Sequence, residues 1–155
     1  MNNLGLDHFR ELDRFLQADY DDDYWCDLGF EEAERLIGAF EAPDWPQLEK
    51  AWPIRGALWL GRLLTALPAA DREHAVPLFR KILAACPDSV LPSAIPALGR
   101  LDDAALRGSL DETGLARLSG FDQPYPHRDR VEEILVRYAR PIAVNAVTPE
   151  PADSA

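Results

Sequence analysis

The chain has 155 residues, 47% of them hydrophobic and 28% charged, and a formal net charge of −11. That length suits one domain with a real core, and the composition confines disorder to the ends. The surplus of acid repels nucleic acid and anionic membranes. No stretch approaches the roughly 20 apolar residues of a membrane span, and the amino terminus lacks the basic start and apolar run of a secretory signal, so cytoplasmic residence is expected.

Apolar spacing reads as helix nearly throughout. A first helix is expected over Leu6 to Ala18, with Phe9, Leu12, Phe15 and Leu16 on one face, and a second over Phe30 to Glu41, with Phe30, Ala33, Ile37 and Phe40. The third, Arg55 to Leu67, is apolar over most of its circumference and is therefore expected at the centre, covered on several sides. A fourth begins at Asp71, a cap residue, and ends at Cys86 before Pro87, with Pro77 in or near its first turns. Val90 to Leu101 follows, with Pro96 as a kink, then shorter helices over Asp102 to Ser109 and Glu112 to Ser119. The proline-rich stretch GFDQPYPHRD predicts a loop, Arg128 to Arg140 a last helix, and PIAVNAVTPEPADSA a frayed tail. Residues 1–140 thus form a single helical domain, all-α, and 141–155 a disordered end.

The charge is unevenly placed. Residues 1–50 hold fourteen acids against four bases (Arg10, Arg14, Arg35 and Lys50), whereas the remainder is close to balance. Such a field attracts a basic partner. Arg55 and Arg62 lie on one side of the central helix and are expected to pair with acids from neighbouring helices. Cys26 and Cys86 are expected as two reduced, packed thiols.

Catalytic signatures are missing: there is no Gly-rich phosphate loop, no G-x-S-x-G elbow and no H-E-x-x-H helix. His8, His74 and His127 share no ligand-like spacing. His127-Arg128-Asp129 matches a kinase catalytic loop without any of the other parts that chemistry needs. No enzyme activity, cofactor or metal is expected. Asp19, Asp21 and Asp23 alternate like the first ligands of a calcium loop, but Tyr24 replaces the turn glycine and Phe30 the bidentate glutamate.

The densest feature is the acidic run from Asp19 to Asp27, read as a loop, in which Tyr20, Tyr24 and Trp25 interleave with Asp19, Asp21, Asp22, Asp23 and Asp27. A run of charge is commonly a solvated turn. Rigid aromatics beside carboxylates, however, are what interface centres favour. With Glu31 and Glu34 these residues form the candidate partner-binding set. Trp45 and Trp52 either extend that surface or fill the core between helices.

Leu60-Gly61-Arg62-Leu63 recurs as Leu98-Gly99-Arg100-Leu101, each copy expected to end an apolar helix that follows a Pro-Asp loop. The glycines would let neighbouring backbones approach closely. The unit HAVPLFRKILAACPDSVLPSAIPALGRL, and more loosely EEAERLIGAFEAPDW with GALWLGRL, resembles HEAT repeats. That likeness implies antiparallel helical hairpins stacked as an α-solenoid; an irregular antiparallel bundle is the alternative.

In overall profile (small, acidic, poor in catalytic motifs, rich in arginine over lysine) the chain also resembles the immunity proteins that bacteria pair with contact-dependent or other polymorphic toxins. The resemblance implies a cytoplasmic inhibitor that covers the active site of a basic toxin such as a nuclease. The other reading is a HEAT-like adaptor that holds protein partners in a helical groove.

Overall fold

The computed structural model describes residues 7–121 and 127–139, except for the side chain of His127. Every regular element among them is helical. Helix α1 (His8–Gln17) starts where the Asp7 carboxylate accepts the Arg10 N–H, and buries Leu12 and Leu16. A short α2 (Asp22–Tyr24) passes without a break through a π-helical turn (Trp25–Gly29) into α3 (Phe30–Gly38). Helical structure therefore begins eight residues before the expected Phe30, and the acidic run is helix rather than loop.

Helix α4 (Asp44–Ala51) was not expected. Its prolines masked a stripe of Trp45, Leu48 and Ala51, all buried. Asp44 is buried as well and ties the helix to its neighbours, accepting the N–H groups of Phe9 at 3.2 Å and Glu41 at 2.8 Å. Trp45 settles as core, edge-on to Phe40 and stacked on His74 with ring centroids 4.9 Å apart. Trp52 packs half-buried against the same core.

A 3₁₀ turn (Trp52–Ile54) leads to α5 (Ala57–Ala66), which buries nearly its whole second half, as its all-round apolar pattern requires. Helix α6 (Arg72–Ala85) is capped by Asp71 and carries Pro77 within it. Then come α7 (Leu91–Gly99), α8 (Asp103–Ser109), α9 (Glu112–Ser119) and α10 (His127–Ala139). The last begins inside the stretch read as a proline-rich loop. The tail at 141–155 and the centre of that loop lie outside the described residues.

Helices α3, α5, α7 and α10 stand side by side in that order; α6, α8 and α9 pack together beside them, and α1 lies against α3, α4 and α5. The core runs continuously from Leu12 to Ile134. Each leucine removed from water within it, such as Leu63, Leu64 and Leu78, contributes about 1.5–3 kcal/mol.

The two L-G-R-L motifs are not equivalent. The first lies in the middle of α5, where a Cβ on Gly61 would stand 2.8 Å from Ser93 Oγ, so α5 and α7 need that glycine to cross closely. The second ends α7, and Gly99 has nothing within 4 Å. Arg62 is buried, while Arg100 is exposed.

Arginines of one helix close the carboxyl ends of others. Arg62 serves α1, Arg117 of α9 donates to Leu83 O at 2.7 Å and to Cys86 O at the end of α6, and Arg137 of α10 reaches Gly99 O and Leu101 O after α7. Arg100 does the same for Thr65 O near the end of α5. Orphaned terminal carbonyls need donors and favour positive charge, and the arginine fork supplies several at once.

Candidate functional site

After α1 the chain turns sharply. Ala18 is extended, and Tyr20 N–H bonds to Ala18 O at 3.1 Å. Asp21 then caps the next helix, its Oδ1 accepting the Tyr24 N–H at 2.7 Å, with Asp22 and Asp23 in the first turn. Carboxylates at that end are stabilised by the free N–H groups and the positive end of the helix dipole. The acidity of the run thus has a local use: it starts the helix.

The π turn sets the aromatics. Phe30 N–H reaches back to Trp25 O, widening the helix by one residue, a distortion often found at functional sites. Gly29 permits it, since a Cβ there would come 2.7 Å from Cε3 of the Trp25 ring. Trp25 lies 6.1 Å from Phe15, Phe15 lies 5.0 Å from Tyr20, and Tyr20 stacks on Tyr24 at 4.6 Å.

Arg62 organises this cluster. Only 5% exposed, it donates from Nη1 to Leu16 O (3.2 Å) and Ala18 O (2.8 Å) and from Nη2 to Tyr20 O (3.4 Å). Its guanidinium also lies over the rings of Trp25 (5.0 Å) and Tyr20 (5.7 Å). It forms no ion pair with any carboxylate among the described residues, contrary to the expectation. Carbonyl dipoles and ring faces offset its charge instead. Arg55 does pair as expected, holding Asp13 through Nε (3.0 Å) and Nη2 (2.8 Å), and Trp59 Nε1–H donates to the same carboxylate.

The predicted site residues divide accordingly. Asp19, Asp21, Asp22, Asp23, Asp27 and Glu31 are exposed. None of them joins an ion pair among the described residues, and no Lys or Arg occurs from Phe15 to Glu34. Tyr24 faces outward, 38% exposed, whereas Tyr20 and Trp25 are half-buried around Arg62. Glu34 is half-buried and held by Arg100 at 2.9 Å, and Glu32 is taken by Arg35, whose hydrogen bond lowers the Glu32 pKa.

Cys26 is exposed among these acids, so only Cys86 is the packed thiol expected. Leu28, at 58% exposure, joins the same segment, and Leu58 of α5, at 66%, lines a groove together with Asp22 and Trp25. Neither was singled out in the sequence. Leu28 has meaning only once 22–38 is helical, and Leu58 looks like core in an all-apolar helix.

That groove has a volume of about 410 Å³ and is lined by Asp22, Trp25, Leu58, Arg62, Ser89 and Ser93, with Ala57, Gly61 and Thr65 of α5 as three smaller neighbours. Among the described residues no group of three or more His, Cys, Asp or Glu is placed to hold a metal ion, and no helix is long and apolar enough to cross a membrane. Comparison with protein-family models, with curated proteins and with solved structures returned no match in any of the three.

Proposed function

We propose that this chain is a cytoplasmic inhibitor that binds a basic protein through the exposed face of residues 19–31, in the manner of an immunity protein set against a cognate toxin such as a nuclease. The observation that carries this reading is the unshared charge of Asp19, Asp21, Asp22, Asp23, Asp27 and Glu31 around the outward Tyr24 and Leu28. Elsewhere Arg100, Arg117 and Arg137 serve the chain's own helix ends and ion pairs, whereas the acid of residues 19–31 is displayed without such partners among the described residues.

Several features support a preformed surface. Asp21 and the π turn fix the backbone, and Arg62 pins Trp25 and Tyr20, so little ordering cost remains on association. Carboxylates spaced along a helix imitate the phosphates that a basic nuclease recognises, and opposite potentials speed encounter. On this reading the chain covers its partner's active site and performs no chemistry of its own.

The second reading, a HEAT-like adaptor, draws on the row of α3, α5, α7 and α10. It places binding on the helical row and predicts little dependence on salt.

A tagged capture from the native source, run with wild type and with Asp23→Lys/Asp27→Lys, separates the two. The inhibitor reading expects one basic protein, released by high salt and absent from the variant. Recovery of neutral proteins that resist salt and bind the variant equally would contradict it.

A further inference from the structure

We propose that the groove beside Trp25 receives an arginine side chain of the basic partner; this rests on the reading above that the partner is basic. The groove offers three kinds of contact that the chain itself leaves unused. Asp22 contributes an exposed carboxylate without an ion-pair partner among the described residues. Ser89, in the 3₁₀ turn Asp88–Val90 before α7, and Ser93, in the first turn of α7, contribute hydroxyls that make no hydrogen bond among the described residues. Leu58 contributes an apolar side chain left 66% exposed in a helix whose other leucines are at most 4% exposed.

An aliphatic stem ending in a flat fork of donors matches that combination. The stem lies along Leu58 and the edge of Trp25, while the guanidinium donates to Asp22 and to the serine oxygens. At about 410 Å³ the groove is roomier than one such side chain, so the guest enters without rearranging it.

Arg62 lines the groove as well, and its positive charge acts against the guest, but its hydrogen bonds aim elsewhere. Its own guanidinium is almost wholly buried and turned to the carbonyls of Leu16, Ala18 and Tyr20. An anionic guest would instead meet Asp22 and a stretch of chain that holds no base from Phe15 to Glu34. A lysine would satisfy the carboxylate, but its compact ammonium lacks the planar fork of donors that serves carboxylate and hydroxyl oxygens together.

The test is an NMR titration of the ¹⁵N-labelled full chain with acetyl-Gly-Arg-Gly-amide, and with the same peptide carrying Lys, norleucine or Glu at its centre. The expected result is saturable shifts of the Trp25 indole N–H and of the Gly61, Ser89 and Ser93 amides, strongest for the arginine peptide. Leu58→Ala, at an exposed site, should weaken that binding about fourfold through lost apolar contact, and Ser89→Trp should block it. Shifts confined to Asp19–Asp27, alike for arginine and lysine and unchanged by Leu58→Ala, would overturn the groove, as would preference for the glutamate peptide. Those results would leave the basic-partner reading intact, because the Asp23→Lys/Asp27→Lys capture tests that reading separately.

Discussion

The guanidinium carbon of Arg62 stands 5.0 Å from the centroid of the Trp25 ring, and the same side chain closes the carboxyl end of α1. One buried cation therefore fixes both the turn that leads into the acidic helix and the aromatic that anchors it. Arg62→Met leaves the Leu16 and Ala18 carbonyls without their donor, and should cost about 2–4 kcal/mol in urea unfolding. Arg62→Lys should recover only part of that loss, because one ammonium cannot replace the planar fork.

Gly29 and Trp25 are coupled within the π turn. A methyl group on Gly29 would meet the indole at 2.7 Å, so Gly29→Ala must push the ring away from Arg62 or restore a regular α-turn. We expect a loss of about 1–3 kcal/mol and a red-shifted tryptophan emission. An unchanged spectrum with unchanged stability would mean that the ring is not held there.

The two thiols differ in a way that alkylation reads directly. Cys26 is exposed; Cys86 is buried, and burial pushes its pKa up against the opposing effect of Arg117. Because the thiolate is the reactive form, the native chain should show one fast thiol at pH 8, and the second only after unfolding. Two equally fast thiols in the native protein would contradict the packing of α6 against α9.

Much of this fold was legible in the sequence, and the failures share a physical cause. Periodic apolar spacing located α1, α5, α6, α8 and α9 closely because their buried stripes are regular. Helix α4 was hidden by Pro43 and Pro46, although proline is at home at a helix start. The start of α2 was hidden because Asp21, Asp22 and Asp23 read as a solvated turn, when the same residues are the natural occupants of an N-cap and first turn. Arg62 misled most. Expected to pair with an acid as Arg55 does, it spends its donors on carbonyls that only a three-dimensional arrangement brings near. For the same reason the acidic run was identified as a surface feature, while the groove between it and Leu58 was not visible.

Asp102 gives the acid side of the stability profile a specific contributor. The Ala105 N–H holds its carboxylate in the charged form and Arg72 adds to this, so its pKa lies below the ordinary value of 3.8. A depressed carboxylate contributes fully above the unfolded pKa and loses that contribution as pH falls through the folded value. The stability advantage of wild type over Asp102→Asn should therefore hold at neutral pH and shrink below about pH 4. A difference that stays constant to pH 2 would show that the charge on Asp102 plays no part.

The most direct test of the proposed role is the association rate of the captured basic partner, followed by stopped-flow fluorescence across ionic strength. Asp21 is spared in the variant because it caps the helix, so Asp23→Lys/Asp27→Lys keeps that hydrogen bond and gives up only the weaker dipole interaction of Asp23. Binding through the acidic face predicts that wild-type association falls steeply with salt, and that the variant associates about 10- to 1,000-fold more slowly at low salt with its unfolding midpoint nearly unchanged. Equal rates for the two proteins at low salt would contradict it and move the binding surface away from residues 19–31.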